Sequence, residues 1–437
     1  MAPAQTKIYP VTATINTKGH LVIGGCDTVA LAQQFSTPLY IYDEATLKLM
    51  ARGFIDAFRS RYQRTQVVYA SKAFINVGLA RLLAGYGLGF DVVSGGEVAV
   101  VRAAGVEPAK LFFHGNNKTP QELHEAVAAG IGHIVVDSFH ELDLLDGIAA
   151  REERKQNILV RVSPSVDPHT HAHTTTGILD SKFGFPIETG QAAEAVRRAI
   201  ASKNLELQGL HFHLGSPIFE LEPYAEAIGV VLRFASKMRE EGLQLRRFSP
   251  GGGFAIAYTE ADHPPAPEAY AEVIVDAFRQ GLSDYDLPDP ELIVEPGRAI
   301  AGRAGVALYT VGATKEVPGI RTYVAVDGGM GDNIRPAIYG SKYVATVANR
   351  AAEAPSTTVT IAGKYCESGD VLIRDAKLAP VQAGDLIAIP ASGAYAPSMA
   401  SNYNLNGRPP IVVVADGNAR LIRRRESYAD LMIGDVL

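Results

Sequence analysis

The chain lacks several features that would settle its class at once. Its 437 residues include only two cysteines, Cys26 and Cys366, so no disulfide framework can staple it, and a reducing compartment fits. No run of about 18 apolar residues occurs, so no membrane-spanning helix is expected. Residues Met1 to Lys7 carry no apolar core of signal-peptide length. Excess positive charge is also missing: the formal net charge is -6, which argues against a nucleic-acid binder. No internal repeat or low-complexity tract appears. The 42 glycines and 25 prolines are dispersed, the pattern of tight turns and not of disorder. A cytoplasmic globular protein is expected. At this length a single compact core is too small a solution, so two domains are expected.

What is present is organised around Gln66-Val67-Val68-Tyr69-Ala70-Ser71-Lys72-Ala73-Phe74. An apolar, β-branched run predicts a buried strand, and it ends in a lysine just before a helical pattern. Two readings of Lys72 are open. A strand-end lysine can carry its ammonium out to water. It can also serve as a Schiff-base amine, which must lose a proton to attack an aldehyde. Lowering its pKa from ~10.4 to ~7 takes roughly 4–5 kcal/mol of desolvation or neighbouring positive charge.

From residue 66 strands and helices alternate strictly. Strands are predicted at Gln66–Ala70, Leu88–Val93, Leu111–His114, His133–Asp137, Ile158–Val162, Leu207–His213, Arg246–Phe248 and Glu291–Val294. Alternation means parallel strands with crossover helices. Eight such units predict a (β/α)8 barrel of the TIM type, in preference to an open doubly wound sheet. After about residue 303 short strands follow one another, the pattern of an all-β domain. The expected organisation is an N-terminal segment, 1–35, that joins the β part, a barrel over 36–302, and a C-terminal β domain over 303–437. The Leu21–Ile23 strand is expected to pair with that β domain.

All strands of such a barrel deliver their C-terminal ends to one face, where catalysis sits. Those ends carry Lys72; Asp91 and Ser94; His114 and Asn116; Asp137; Arg161; His213 and Ser216; Gly251, Gly252 and Gly253; and Glu295 with Arg298. The triple glycine lets backbone approach an anion and aim N–H groups at it, although glycine runs also occur in plain turns. His211 and His213 face one side of their strand, as paired metal ligands would or as an imidazole stacked on a flat ring would. His169, His171 and His173 lie in a polar loop and read as loop residues near the site; no metal is expected. Glu295 beside Arg298 is either a structural ion pair or a carboxylate that holds a ring nitrogen protonated. Cys366, with Glu367, Ser368 and Asp370, sits in a polar loop, which favours an acid or nucleophile over an inert core thiol.

Taken in order, Tyr69-Ala-Ser-Lys-Ala, Gly89-Phe-Asp-Val-Val-Ser, Val166-Asp-Pro-His-Thr-His, Lys182-Phe-Gly, His211-Phe-His-Leu-Gly-Ser, Gly251-Gly-Gly, Glu295-Pro-Gly-Arg, Cys366-Glu-Ser-Gly-Asp and Gly393-Ala-Tyr resemble the fold-type III, pyridoxal-phosphate-dependent amino-acid decarboxylases over nearly the whole chain. The resemblance implies pyridoxal 5'-phosphate as cofactor, held by Lys72, with Asp91 beside it. His213 would stack on the ring and Glu295 would pair with its nitrogen. Ser216 and Gly251, Gly252 and Gly253 would bind the phosphate, and Tyr395 would sit beside the cofactor. Arg161, Arg298, Arg335, Tyr339, Glu367 and Tyr395 match substrate-binding positions. Cys366 would protonate the product. The resemblance further implies a homodimer whose active sites are shared across the interface. Two arginines facing a retained carboxylate fit a diamino diacid, so the implied reaction is decarboxylation of meso-2,6-diaminopimelate to L-lysine and carbon dioxide. Decarboxylases of carboxynorspermidine, arginine or ornithine, alanine racemases, and a non-catalytic regulatory relative are the rivals. The stretches Phe248-Ser249-Pro250 and Gly363-Lys364-Tyr365 depart from the family's usual forms.

Overall fold

The computed structural model describes residues 7–167 and 180–436. The His169, His171 and His173 tract lies outside the described residues. The chain divides into two compact units, Ala51–Ala255 with Pro264–Gly297, and Met1–Met50 with Ile256–His263 and Arg298–Leu437.

The first unit is the expected barrel. Its strands are β1 Thr65–Ala70, β2 Gly89–Val92, β3 Leu111–Phe113, β4 His133–Val136, β5 Gln156–Ser163, β6 Leu205–His211, β7 Arg247–Gly251 and β8 Glu291–Val294. Every neighbouring pair is parallel, and β8 pairs back with β1 to close the sheet. The first four helices between the strands start where the sequence supplies a cap. Asn76 accepts from the Leu79 N–H, and Ser94 and Ser138 do the same for Glu97 and Glu141. Thr119 and Glu122 form a reciprocal capping box. Each cap satisfies a backbone donor that the helix itself leaves unpaired.

Strand periodicity explains how the barrel becomes a site. Val68, Phe112, Val135, Leu159 and Ile293, from five different strands, form one buried cluster. Side chains two residues apart share a face of a strand. The next residues on that face are therefore Ala70, His114, Asp137, Arg161 and Glu295. Gly89 and Asp91, Gly209 and His211, and Arg247 and Ser249 follow the same spacing. An apolar layer is thus followed directly by a polar layer at the C-terminal rim.

The second unit is a β-sheet in the order Val371–Leu378, Thr357–Ala362, Arg321–Val326, Gly305–Val317, Leu39–Asp43, Ile411–Ala415, Asn418–Arg423. Two expectations need correction. Leu39–Asp43 was expected within the barrel, but it pairs with Gly305–Val317 and Ile411–Ala415, so the N-terminal contribution to this unit runs past residue 35. The unit also takes in Arg298 onward and residues 256–263. Leu21–Ile23 does not pair with the large sheet. It lies in a separate three-stranded sheet with Thr14–Ile15 and Cys26–Asp27. Its contribution is through packing: Leu21 and Ile23 are fully buried with Leu39, Ile41, Val306 and Val412. Isolated short hydrophobic runs do not encode which sheet will hydrogen-bond them, because burial satisfies them equally well in either.

His133 opens the inward face of β4 and stacks on Phe112, with ring centroids 4.7 Å apart and planes at 13°. Burial, helped by Arg247, pushes its imidazole down to about 3. In the unfolded chain it titrates near 6.5. Between these values the unfolded state binds the extra proton, so this group removes stability as pH falls through 6.5 towards 3. His133→Asn is expected to flatten the acid limb of stability between pH 6 and about 4. Urea titrations of both proteins across that window check it; parallel pH slopes would contradict the assignment.

Candidate active site in the barrel and an arginine–tyrosine cluster

Lys72 sits in the single turn Ser71–Ala73 that follows β1. Its Nζ lies 3.6 Å from Asp91 Oδ2, and Asp91 is fully buried. Burial raises the Asp91 carboxyl to about 7, against the opposing pull of Lys72. The Lys72 side chain is 38% exposed while its ammonium stands beside a buried carboxyl at the C-terminal end of the barrel strands.

Glu295 follows β8 and is 4% exposed. Ser249 Oγ donates to it at 2.8 Å, and His211 Nε2 stands 3.3 Å away. His114 Nε2 is 3.7 Å from Glu295 and 3.8 Å from Asp91. Burial alone would favour the neutral acid. The neighbouring His211 and His114 and the Lys72 ammonium outweigh it and hold the carboxyl well below its ordinary range. Burial meanwhile pushes His114, His211 and His213 below the ordinary imidazole value. The rim therefore holds one firmly anionic carboxylate among neutral imidazoles. A neutral His211 that donates from Nε2 leaves Nδ1 as its lone-pair nitrogen. That atom, both Asp91 oxygens and His114 Nε2 make no hydrogen bond among the described residues although they are buried.

Backbone crowds the same place. Gly251 and Gly253 have φ of +76° and +106°, in the left-handed region. A Cβ on Gly251 would lie 2.6 Å from the Phe212 carbonyl oxygen, and on Gly252 only 2.2 Å from that of Glu295. A Cβ on Gly253 would lie 2.5 Å from the Gly215 carbonyl oxygen. The Gly252 N–H donates to His213 Nδ1 at 3.2 Å, tying the glycine turn to the histidine after β6. The triple glycine is thus a close-approach cradle at the ends of β6, β7 and β8, and not an ordinary turn.

These features fit pyridoxal 5'-phosphate. An amine stands at the end of β1, and a carboxylate that follows the neighbouring strand β8 can keep a ring nitrogen protonated. A neutral imidazole follows β6, and a glycine cradle beside Ser216 suits a phosphate. The unbonded buried polar atoms belong to Asp91, His114 and His211 on this same rim. His114, His211 and Glu295 also bring three ligand-type atoms within 4.8 Å of one another, but two of the three already hold each other.

Arg161, on β5, is 8% exposed and lies 4.4 Å over the Phe183 ring. Asp137 accepts from the Gly184 N–H. Ser94, expected at the rim, is spent on its helix cap.

The other predicted substrate residues belong to the second unit. Arg298 and Arg335 are buried. Arg298 donates to Tyr258 Oη at 2.6 Å and lies 4.7 Å over the Tyr395 ring. Arg335 donates to Tyr343 Oη. Tyr339 ends the short helix Arg335–Tyr339 and is half-buried. Cys366 and Glu367 are exposed, and the Cys366 N–H donates to Asn404 Oδ1 at 3.0 Å.

Three residues escaped the sequence reading. Ser249 was noted only as unusual, although a hydroxyl inside an apolar strand is a signal that it has a partner. His211 was left between two roles. Tyr258 carried no local signal, because its partners lie 40 and more residues away.

A model of the pyridoxal-dependent decarboxylase family, its pyridoxal-binding domain, matches residues 51–302. The diaminopimelate decarboxylase of Bacillus subtilis (strain 168) is 46% identical over 422 residues, 96% of each chain. That of Mycobacterium tuberculosis (strain ATCC 25618 / H37Rv) is 41% identical and covers 97% of each chain. The solved structure of diaminopimelate decarboxylase from M. jannaschii in complex with L-lysine superimposes with a TM-score of 0.91 at 36% identity, covering 98% of both chains.

Gly252→Ala is expected to leave the barrel folded but unable to retain pyridoxal phosphate, since its Cβ would meet main chain and not a movable side chain. Cofactor absorbance after gel filtration checks this; a variant that keeps a full complement would contradict the cradle. From the barrel rim, its glycine turn and these matches, the chain belongs to the pyridoxal-dependent decarboxylases, in their diaminopimelate decarboxylase branch.

Proposed function

We propose that the chain decarboxylates meso-2,6-diaminopimelate to L-lysine and carbon dioxide with pyridoxal 5'-phosphate, in lysine biosynthesis. The observation that carries this reading is the Lys72, Asp91 and Glu295 rim on a chain 46% identical to a diaminopimelate decarboxylase over 96% of its length. When bound, the cofactor supplies an electron sink for the pair released as the carboxylate leaves.

The surroundings of the residues support the following roles. Lys72 anchors the cofactor through its amine. Glu295, kept anionic, holds the ring nitrogen protonated, and Ser249 and His211 hold Glu295. His213, neutral, covers a ring face without adding charge. Ser216 and the three glycines receive the phosphate. Asp91 keeps the Lys72 amine in place. Arg161, Arg298, Arg335, Tyr339, Glu367 and Tyr395 bind substrate. Arg298 and Arg335 take the retained carboxylate in charge-assisted hydrogen bonds, and Glu367 takes the amine beside it. The Cys366 thiol delivers a proton to the carbon that has lost carbon dioxide.

The exposure of Cys366 and Glu367 supports a further part of the reading: two chains form a homodimer, and each gives these residues to its partner's site. We place the protein in the cytoplasm, in keeping with two cysteines that remain free. Among the described residues no helix is long and apolar enough to cross a membrane.

Assays of lysine and carbon dioxide release from meso-diaminopimelate, with arginine, ornithine and carboxynorspermidine in parallel, test the activity. Turnover of the meso diacid alone is expected; turnover of another amine in its place would displace the substrate assignment. Arg335→Ala is expected to weaken the diacid by ~2–5 kcal/mol, and an unchanged KM would remove Arg335 from the clamp. Cys366→Ala is expected to lower kcat by about 10²–10⁴-fold. Mixing inactive Lys72→Ala with Cys366→Ala chains should restore about a quarter of the sites if those sites are shared by a two-fold dimer. Failure to complement after subunit exchange would overturn the shared-site arrangement.

A further inference from the structure

Most buried tyrosines here satisfy their hydroxyls in an ordinary way. Tyr40, Tyr42, Tyr62, Tyr69, Tyr224 and Tyr270 each donate to a backbone carbonyl at 2.6–2.7 Å. Tyr258 is built differently. Arg298 Nη1 donates to its oxygen at 2.6 Å. The Arg335 guanidinium lies 4.7 Å over its ring, and Tyr343 meets that ring edge-on at 5.4 Å. The phenol is therefore shared by two buried cations, one at its oxygen and one over its face. Burial works against its ionisation, yet the two guanidiniums hold its pKa below the ordinary tyrosine value. The burial of Tyr40, Tyr62, Tyr224 and Tyr270 has the opposite outcome. The groups that act on Arg335 are likewise phenols, Tyr258 and Tyr343.

Two guanidiniums confined in a low-dielectric interior repel each other. A single phenol between them, bonded to one and stacked on the other, holds both in place. A carboxylate offers the same N–H donors a full negative charge, so a pair held together by one phenol suits it better. We infer that Tyr258 is a positioning residue of the carboxylate clamp: its hydroxyl and ring keep Arg298 and Arg335 together for the carboxylate that the substrate retains. This rests on the diaminopimelate reading above. It gives Tyr258 a part in selecting a diacid over a diamine, because only a ligand with that carboxylate gains from the preset pair.

The test is Tyr258→Phe in the pyridoxal-phosphate-loaded enzyme. The ring and its stacking on Arg335 stay; the oxygen that Arg298 bonds goes. The measurements are KM and kcat for meso-diaminopimelate, with inhibition constants for L-lysine, which carries the retained carboxylate, and cadaverine, which lacks it. KM and the L-lysine constant are expected to rise about tenfold, as for loss of one hydrogen bond to a charged group. The cadaverine constant is expected to stay put and kcat to change little. A purely structural tyrosine would weaken both inhibitors in step or lower kcat, and either result overturns the inference, as does unchanged L-lysine affinity. Tyr258→Leu is the second variant should the first not fold, since the ratio of the two inhibition constants does not depend on yield. Wild-type enzyme inert on meso-diaminopimelate removes the activity reading itself, which the unmutated protein reports before any variant is made.

Discussion

The barrel rim depends on keeping one carboxylate charged where burial would neutralise it. Glu295 is almost wholly enclosed, and an enclosed acid ordinarily takes up a proton. Here the Ser249 hydroxyl, the His211 ring and the Lys72 ammonium favour the anion. An ionised Glu295 can hold a pyridine nitrogen in its protonated, electron-withdrawing form. The neutral histidines around it matter for the same reason. Had burial not kept His114, His211 and His213 uncharged, they would compete with the ring nitrogen for that negative charge.

The glycine turn is the steric counterpart of this electrostatic arrangement. Gly252 sits so close to the Glu295 main chain that a single added carbon collides with it, and its N–H is bonded to His213. Ser249 lies two residues before Gly251, accepts from the Gly251 N–H at 3.2 Å, and donates to Glu295. One serine therefore links the glycine turn and the buried Glu295 carboxylate. The unusual Phe248-Ser249-Pro250 stretch has a structural use after all.

The second unit solves a different problem, how to store positive charge away from water. Arg298 and Arg335 are surrounded by the faces and hydroxyls of Tyr258, Tyr343 and Tyr395. Aromatic faces attract cations without neutralising them. The pair is thus held in place but remains able to gain from a carboxylate.

The barrel was legible in the chain because eight short apolar strands alternate with helices, and each repeat is a local pattern. The alternation of side chains along those strands put Asp91, Arg161 and Glu295 on the inward face, and the ordered motifs from Lys72 to Tyr395 named the cofactor and the family. What the sequence by itself determined is therefore what local spacing and residue chemistry carry. Tertiary structure alone decided that Leu39–Asp43 joins the β-sheet, that Ser249 serves Glu295, and that Tyr258 lies between arginines 40 and 77 residues further on. Pairing partners and shared hydrogen bonds arise between residues distant in the chain, and no local pattern encodes which distant group will complete a hydroxyl or a strand edge.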